Sequence, residues 1–227
     1  MKFLLKYPTR DRPEMFFDRL NEYTKLASGD HEIRWVFTFD EDDDSMNNAR
    51  TADKIRKIVG ENFTIGILKE GGKIAACNAH VNENLRDAEI LMLVSDDMVP
   101  ESTSWDTLIV EYLTRSFPDL DGAVHINDGL QGSRLCTLSC MGRKFYDRFG
   151  YFYHPDYKSC FCDDEFTTIA WGMRKMVWCP HVLIRHQWVG NTVQDELHQR
   201  NHNLMARDQK VYNFRREHGF PKESVLA

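Results

Sequence analysis

The chain has 227 residues, of which 42% are hydrophobic, 12% aromatic and 28% charged, with 35 acidic against 29 basic side chains for a net charge of −6. That is enough for one sizeable core and too aromatic for a disordered chain. The overall acidity argues against a dedicated duplex-DNA binder, and no run of about 18 apolar residues exists to form a transmembrane helix.

The opening MKFLLKYPTRDRP has too short an apolar part for a secretion signal. A cytoplasmic chain with its six cysteines reduced is expected. No internal repeat or low-complexity linker is visible, which predicts a single domain. The apolar run Phe3-Leu4-Leu5 breaks at Tyr7-Pro8-Thr9. Asp11 or Arg12 then precedes Pro13, which suits the first turn of a helix carrying Phe16, Leu20, Tyr23 and Leu26 and ending at Ser28-Gly29. Ile33 to Phe39, β-branched and aromatic, predicts a strand that stops at an acidic loop. Ser45 and Asn47 offer caps for a helix through Ile55, Ile58 and Val59, closed by Gly60. Phe63, Ile65 and Ile67 alternate as a strand, and Gly71-Gly72 turns into a short helix near Ile74–His80. Ile90 to Val94 is continuously apolar, as a parallel strand buried on both faces should be.

In the second half, Ala123–Asn127 predicts a strand ending at Asn127-Asp128-Gly129, and Leu135–Leu138 predicts another. Met141-Gly142-Arg143 and a short helix around Phe145 follow. Tyr151–Tyr157 reads as an aromatic loop. Cys162-Asp163-Asp164-Glu165 leads into a helix over Phe166–Trp171 with an acidic first turn. The tail after His198 reads as a solvated helix, locally basic through Arg207, Lys210, Arg215 and Arg216.

The β-α-β-α-β-α-β rhythm predicts an α/β fold, an open and mostly parallel sheet flanked by helices. Ligands of such sheets lie beyond the carboxyl ends of the strands. The residues standing there are Thr9, Arg10 and Asp11, then Asp40 with the run Glu41–Asp44, then Ser95, Asp96 and Asp97, a concentration of acid on one rim. Asp96-Asp97 would offer oxygen ligands to Mg²⁺ or Mn²⁺, which take few protein carboxylates and complete their shell with phosphate and water. A solvated loop in which Asp97 caps the next turn is the alternative. Consecutive charges mostly face water, so Asp42 and Asp43 are expected at the surface, with Asp40 placed to bond a ribose or base edge. His186 follows Val182-Leu183-Ile184, and its imidazole would complete a Mn²⁺ shell if that strand ends beside Asp97; His181 and His198 compete for the role. The cysteines lack the spacing of a zinc site, and neither a phosphate-cradling P-loop nor a G-x-S-x-G elbow is present.

Tyr7-Pro8-Thr9-Arg10, Phe39-Asp40, the stretch Gly72-Lys73-Ile74-Ala75-Ala76-Cys77-Asn78, Leu93-Val94-Ser95-Asp96-Asp97-Met98 and Cys162-Asp163-Asp164-Glu165-Phe166 occur in an order and spacing that resembles nucleotide-sugar glycosyltransferases of the GT-A fold, family 2-like and of viral or phage type. The resemblance implies a Rossmann-like GT-A domain over residues 1–227. Residues 1–100 would bind the nucleotide sugar, 101–200 the acceptor, and 201–227 would form a helical tail. It implies that Thr9, Arg10 and Asp40 meet the nucleoside and that Lys73 and Asn78 lie near the phosphates. Ser95 stands where the D-x-D motif has its first Asp, so either Ser95 or Asp96 would touch the ribose. Asp97, with His186, would hold the metal. Asp163 aligns with the general base, with Asp164 and Glu165 as alternatives, and Asp128 falls on the acceptor side. The implied reaction is inverting, dependent on Mn²⁺ or Mg²⁺, and of hexosyltransferase type. It would move a sugar from a nucleoside-diphosphate sugar, UDP first among them, to the hydroxyl of a glycan or other acceptor, with nucleic acid the least expected. A metal-dependent phosphoesterase or nuclease, which also gathers acids at strand ends, and a non-catalytic nucleotide- or sugar-binding module are the rival readings.

Overall fold

The computed structural model describes residues 1–187 and 203–224. At its centre β1 (Lys2–Pro8) lies between β2 (Glu32–Asp40) and β4 (Ile90–Leu93), parallel to both, so residues 3–7 are buried without interruption. β3 (Phe63–Leu68) extends the sheet beyond β2. On the other side follow β7 (Cys140–Gly142), β6 (Ala123–Ile126) and β8 (Met176–Cys179), giving seven strands in the order β3-β2-β1-β4-β7-β6-β8. Only β7 runs against its neighbours. The expected α/β architecture with a mostly parallel sheet is present, and the carboxyl ends of the other strands share one rim.

Successive side chains of a strand leave on opposite faces. Phe3, Leu5 and Tyr7, with Trp35, Phe37 and Phe39, pack under α1 (Pro13–Leu26), α2 (Ala49–Val59) and α4 (Trp105–Ser116). Leu4, Val36, Leu91 and Leu93 face α3 (Lys73–Asn78), α5 (Arg143–Tyr146), α6 (Cys162–Gly172) and α7 (Met205–Glu217). A second, two-stranded sheet pairs β5 (Met98–Pro100) antiparallel with β9 (Ile184–His186), placing Met98 opposite His186. No helix among the described residues is long and apolar enough to cross a membrane.

Four local expectations are corrected. The cap of α2 is Asn48, whose carboxamide accepts from the Thr51 N–H, rather than Ser45 or Asn47. Leu135–Leu138 is not a strand, because the Cys136 N–H is spent on the Thr167 hydroxyl; the strand begins at Cys140. Asp43 is only 1% exposed, since its carboxylate accepts from the N–H groups of Asp11, Ser45 and Met46 and organises the turn after β2. The basic tail is solvated at Lys210 and Arg216 but docked through Arg215, which is 0% exposed and inserts between α6 and the loop before it.

Candidate active site

The buried β4 strand ends at Leu93, and the next residues divide the rim. Asp96 turns inward: its two oxygens accept from the Tyr7 hydroxyl at 3.0 Å and the Thr9 hydroxyl at 2.9 Å. Burial pushes its pKa up to about 7 against those two donors. Asp96 and Thr9 thus bond each other and are buried, so the side chains expected at the nucleotide face inward here. Asp97 turns outward. The Ser95 hydroxyl donates to one of its oxygens, and the other lies 3.4 Å from His186 Nε2. Burial would raise the Asp97 pKa, but His186 and Ser95 hold it well below the usual carboxylate range.

The small β5–β9 sheet brings His186 there, with its register locked on both sides. The Gln187 N–H donates to the Asp97 carbonyl at 2.8 Å, and the His186 N–H donates to the Asp128 carbonyl at 2.9 Å. Asp128 stands on the far side of the ring, its Oδ2 3.7 Å from His186 Nδ1. Although burial disfavours the imidazolium, the flanking carboxylates Asp128 and Asp97 push the His186 pKa up to about 9. Asp128 is 2% exposed. Its carboxylate accepts from the N–H groups of Leu130 at 2.9 Å and Gln131 at 2.7 Å and from the Thr137 hydroxyl at 2.8 Å. The carboxylate expected on the acceptor side is therefore occupied by its own turn and by the His186 ring.

Lys73 and Asp163 belong to the same charge cluster. Desolvation acts to lower the Lys73 pKa and is outweighed by Cys162, Cys77 and the carboxylates Asp97 and Asp163, which push it up to about 12. Asp163, in the first turn of α6, is raised by burial, with Lys73 and, more weakly, His186 opposing the rise. Asp164 is raised by burial and by the neighbouring Asp163. Phe161, which precedes this turn, sits at φ 62°, a left-handed conformation that costs a bulky residue energy and holds the acidic turn at a fixed angle.

Other expected residues have different tasks. Glu165 is 3% exposed; each of its oxygens takes an N–H of Arg215 at 2.8 Å, and Tyr157 donates to it at 2.7 Å. It is a structural anchor and not a base. Asn78 donates to the Tyr153 carbonyl at 2.6 Å and accepts from the N–H groups of Phe152 and Tyr153, so its carboxamide ties α3 to the aromatic loop and is not free for phosphate. Arg10 is engaged by Asp40 at 2.5 Å and by Asp42 at 2.6 and 2.9 Å. His181 packs against Tyr112 on α4, and His198 lies outside the described residues. The sequence reading missed Thr137 and the buried partner Arg215. Asp43 carried a readable signal, an Asp two residues before a Ser at the entrance to a capped helix.

Among the described residues, no group of three or more His, Cys, Asp or Glu is arranged to hold a metal ion alone. Asp97 and His186 still fit a divalent cation that takes the rest of its shell from phosphate oxygens and water. Two neighbouring donors on an octahedron with bonds of 2.1 Å stand about 3 Å apart, and here they are 3.4 Å apart.

No protein-family model and no curated protein matches the chain by sequence. Solved structures match its fold. A mannosyltransferase from Pyrobaculum calidifontis, PcManGT, in complex with GDP-Man and Mn²⁺, gives a TM-score of 0.59 at 16% identity, covering 84% of this chain and 58% of its own. TarS 1-349 of S. aureus in complex with UDP-GlcNAc gives 0.62 at 15% identity, covering 92% of this chain and 66% of its own. The same S. aureus protein in complex with UDP gives 0.64 at 14%, covering 100% and 76%. The chain thus spans less than two thirds of the length of the first two. These likenesses show the fold, the GT-A arrangement.

Proposed function

We propose that the protein is a metal-dependent inverting glycosyltransferase that moves a sugar from a nucleoside-diphosphate sugar to an acceptor hydroxyl. The observation that carries this reading is the meeting of Asp97, in the turn after β4, with His186 of β9 at 3.4 Å, two segments far apart in sequence. It gains support from the GT-A fold and from the GDP-Man, UDP-GlcNAc and Mn²⁺ that the matched structures hold.

Asp97 and His186 would hold the cation. The mixed oxygen and imidazole donors suit Mn²⁺ better than Mg²⁺, which prefers oxygen throughout. When bound, the ion supplies Lewis-acid stabilisation of the diphosphate leaving group. Lys73 adds fixed positive charge where that negative charge grows. Arg10 fixes the Asp40 carboxylate, which orients the nucleoside. Asp163 takes the proton of the attacking hydroxyl, and its raised pKa makes it a stronger base than an ordinary carboxylate. Attack on the face opposite the leaving group then inverts the anomeric carbon in a single displacement.

The test is to incubate the protein with UDP-GlcNAc and GDP-Man, with Mn²⁺ and without it, and to follow release of UDP or GDP and the initial anomeric configuration of the sugar released to water. Mn²⁺-dependent release with an inverted product is expected. Hydrolysis of simple phosphodiesters without any turnover of a wider sugar-nucleotide panel would overturn the reading in favour of a phosphoesterase.

A further inference from the structure

The geometry points to Asp128 as a positioning residue that fixes the tautomer and aim of His186, so that Nε2 presents its lone pair to a cation on Asp97. This rests on the reading of Asp97 and His186 as metal ligands. His186 Nε2 faces Asp97 Oδ2, so the ring's other nitrogen must carry the proton if Nε2 is to ligate. That nitrogen, Nδ1, is buried without a hydrogen-bond partner, and the acid facing it is Asp128, with Oδ2 at 3.7 Å. An approach of under an ångström closes the gap to a hydrogen bond of about 2.9 Å.

Asp128 is prepared for the task. Two backbone N–H groups pin Oδ1, Thr137 steadies Oδ2, and the carboxylate is closed to solvent. The Asp128 carbonyl accepts the His186 N–H at 2.9 Å, so backbone and side chain are registered together. A carboxylate can only accept at Nδ1. An asparagine held by the same two backbone N–H groups through its oxygen would turn its NH₂ toward the ring. It would then stabilise the tautomer protonated at Nε2, which cannot bind a metal there. Asp128→Asn therefore preserves shape and reverses the instruction.

The experiment is Mn²⁺ binding to the full chain, followed by electron paramagnetic resonance, for the wild type, Asp128→Asn and His186→Ala. ¹⁵N spectra of the wild-type His186 ring with Mg²⁺ and UDP are recorded alongside. The expected results are a loss of about 10- to 100-fold in Mn²⁺ affinity for Asp128→Asn, a larger loss for His186→Ala, and a pyrrole-type Nδ1 in the spectra. A merely structural role would not set that nitrogen's protonation. Wild-type affinity in Asp128→Asn together with loss in His186→Ala would overturn the role of Asp128 and leave the metal pair intact. Unchanged affinity in His186→Ala would overturn the metal pair itself. Should Asp128→Asn fail to fold, a pyridine-type Nδ1 in the wild-type spectra still overturns the inference.

Discussion

Asp96 and Asp97 are adjacent in the chain and face opposite environments: Asp96 accepts from Tyr7 and Thr9 inside the fold, while Asp97 meets Ser95 and the His186 ring at 3.4 Å. The two acids occupy the centre of a tight turn closed by the Met98 N–H on the Ser95 carbonyl at 3.1 Å, and the reversal of the chain there sends one side chain to the interior and the other to the rim. Asp97→Ala is expected to weaken Mn²⁺ binding by about 100-fold or more, a ligand counting for at least as much as its supporting shell. Asp96→Asn should leave that affinity within about threefold, because neither its shape nor its position touches the cation. Equal losses in the two variants would contradict the division of labour.

Asp163 is expected to act on the acceptor alone. Asp163→Asn should retain Mn²⁺-dependent nucleotide binding and lose about 10²- to 10⁴-fold in transfer, while Asp164→Asn loses only a few-fold. Single-turnover rates with binding measured on the same preparations separate the two. A fully active Asp163→Asn enzyme would move the role to Asp164.

The Glu165–Arg215 pair joins α6 to α7, and both partners are buried. Removing Arg215 leaves Glu165 buried without its cation, and removing Glu165 leaves Arg215 with only the longer pair to Asp156 at 3.4 Å, at a cost of about 3–5 kcal/mol. Glu165→Ala and Arg215→Ala are each expected to lower the chemical-denaturation midpoint by a corresponding amount, and the pair Glu165→Leu with Arg215→Met to recover most of it. Wild-type stability in Glu165→Ala would return Glu165 to the candidates for catalysis.

Lys6 gives the stability a pH dependence. It is buried among the strands beside Thr38, and desolvation lowers its pKa to about 7 from 10.5, against weaker opposing effects of Cys77 and Glu83. Below pH 7 the amine is protonated in both states and contributes no slope. Between about 7 and 10.5 the unfolded chain binds the extra proton, so this group favours folding more as pH rises. From pH 7 to 9 its contribution grows by about 2 kcal/mol. Urea unfolding across that range should show the rise in the wild type and a flatter profile in Lys6→Met. The same slope in both proteins would contradict it.

The legible parts of the chain were those whose cause is local. β1, β2 and β4 are apolar runs and β3 an alternating one, each followed by turn residues, and Pro13 and Gly60 mark helix ends by their own backbone preferences. Reading the residues after each strand located Asp97 on the rim, because parallel topology sends those ends to one edge. What escaped depends on distant partners. β5, β7 and β9 are three residues each, too short to show a period, and only pairing defines them. Glu165 differs from Asp163 through Arg215, 50 residues further on, and Asn78 is taken by the backbone of Phe152 and Tyr153. Nothing in the local sequence separates three consecutive acids at a helix start.

Calorimetric titration of the wild-type protein with UDP and with GDP, in Mn²⁺ and in EDTA, tests the central claim most directly, since Asp97 and His186 are held to bind the diphosphate only through a cation. At least one nucleotide should bind in Mn²⁺, with EDTA abolishing the heat and Asp97→Ala behaving like the EDTA sample. Nucleotide binding of equal strength with and without the metal, or unchanged by Asp97→Ala, would contradict the account.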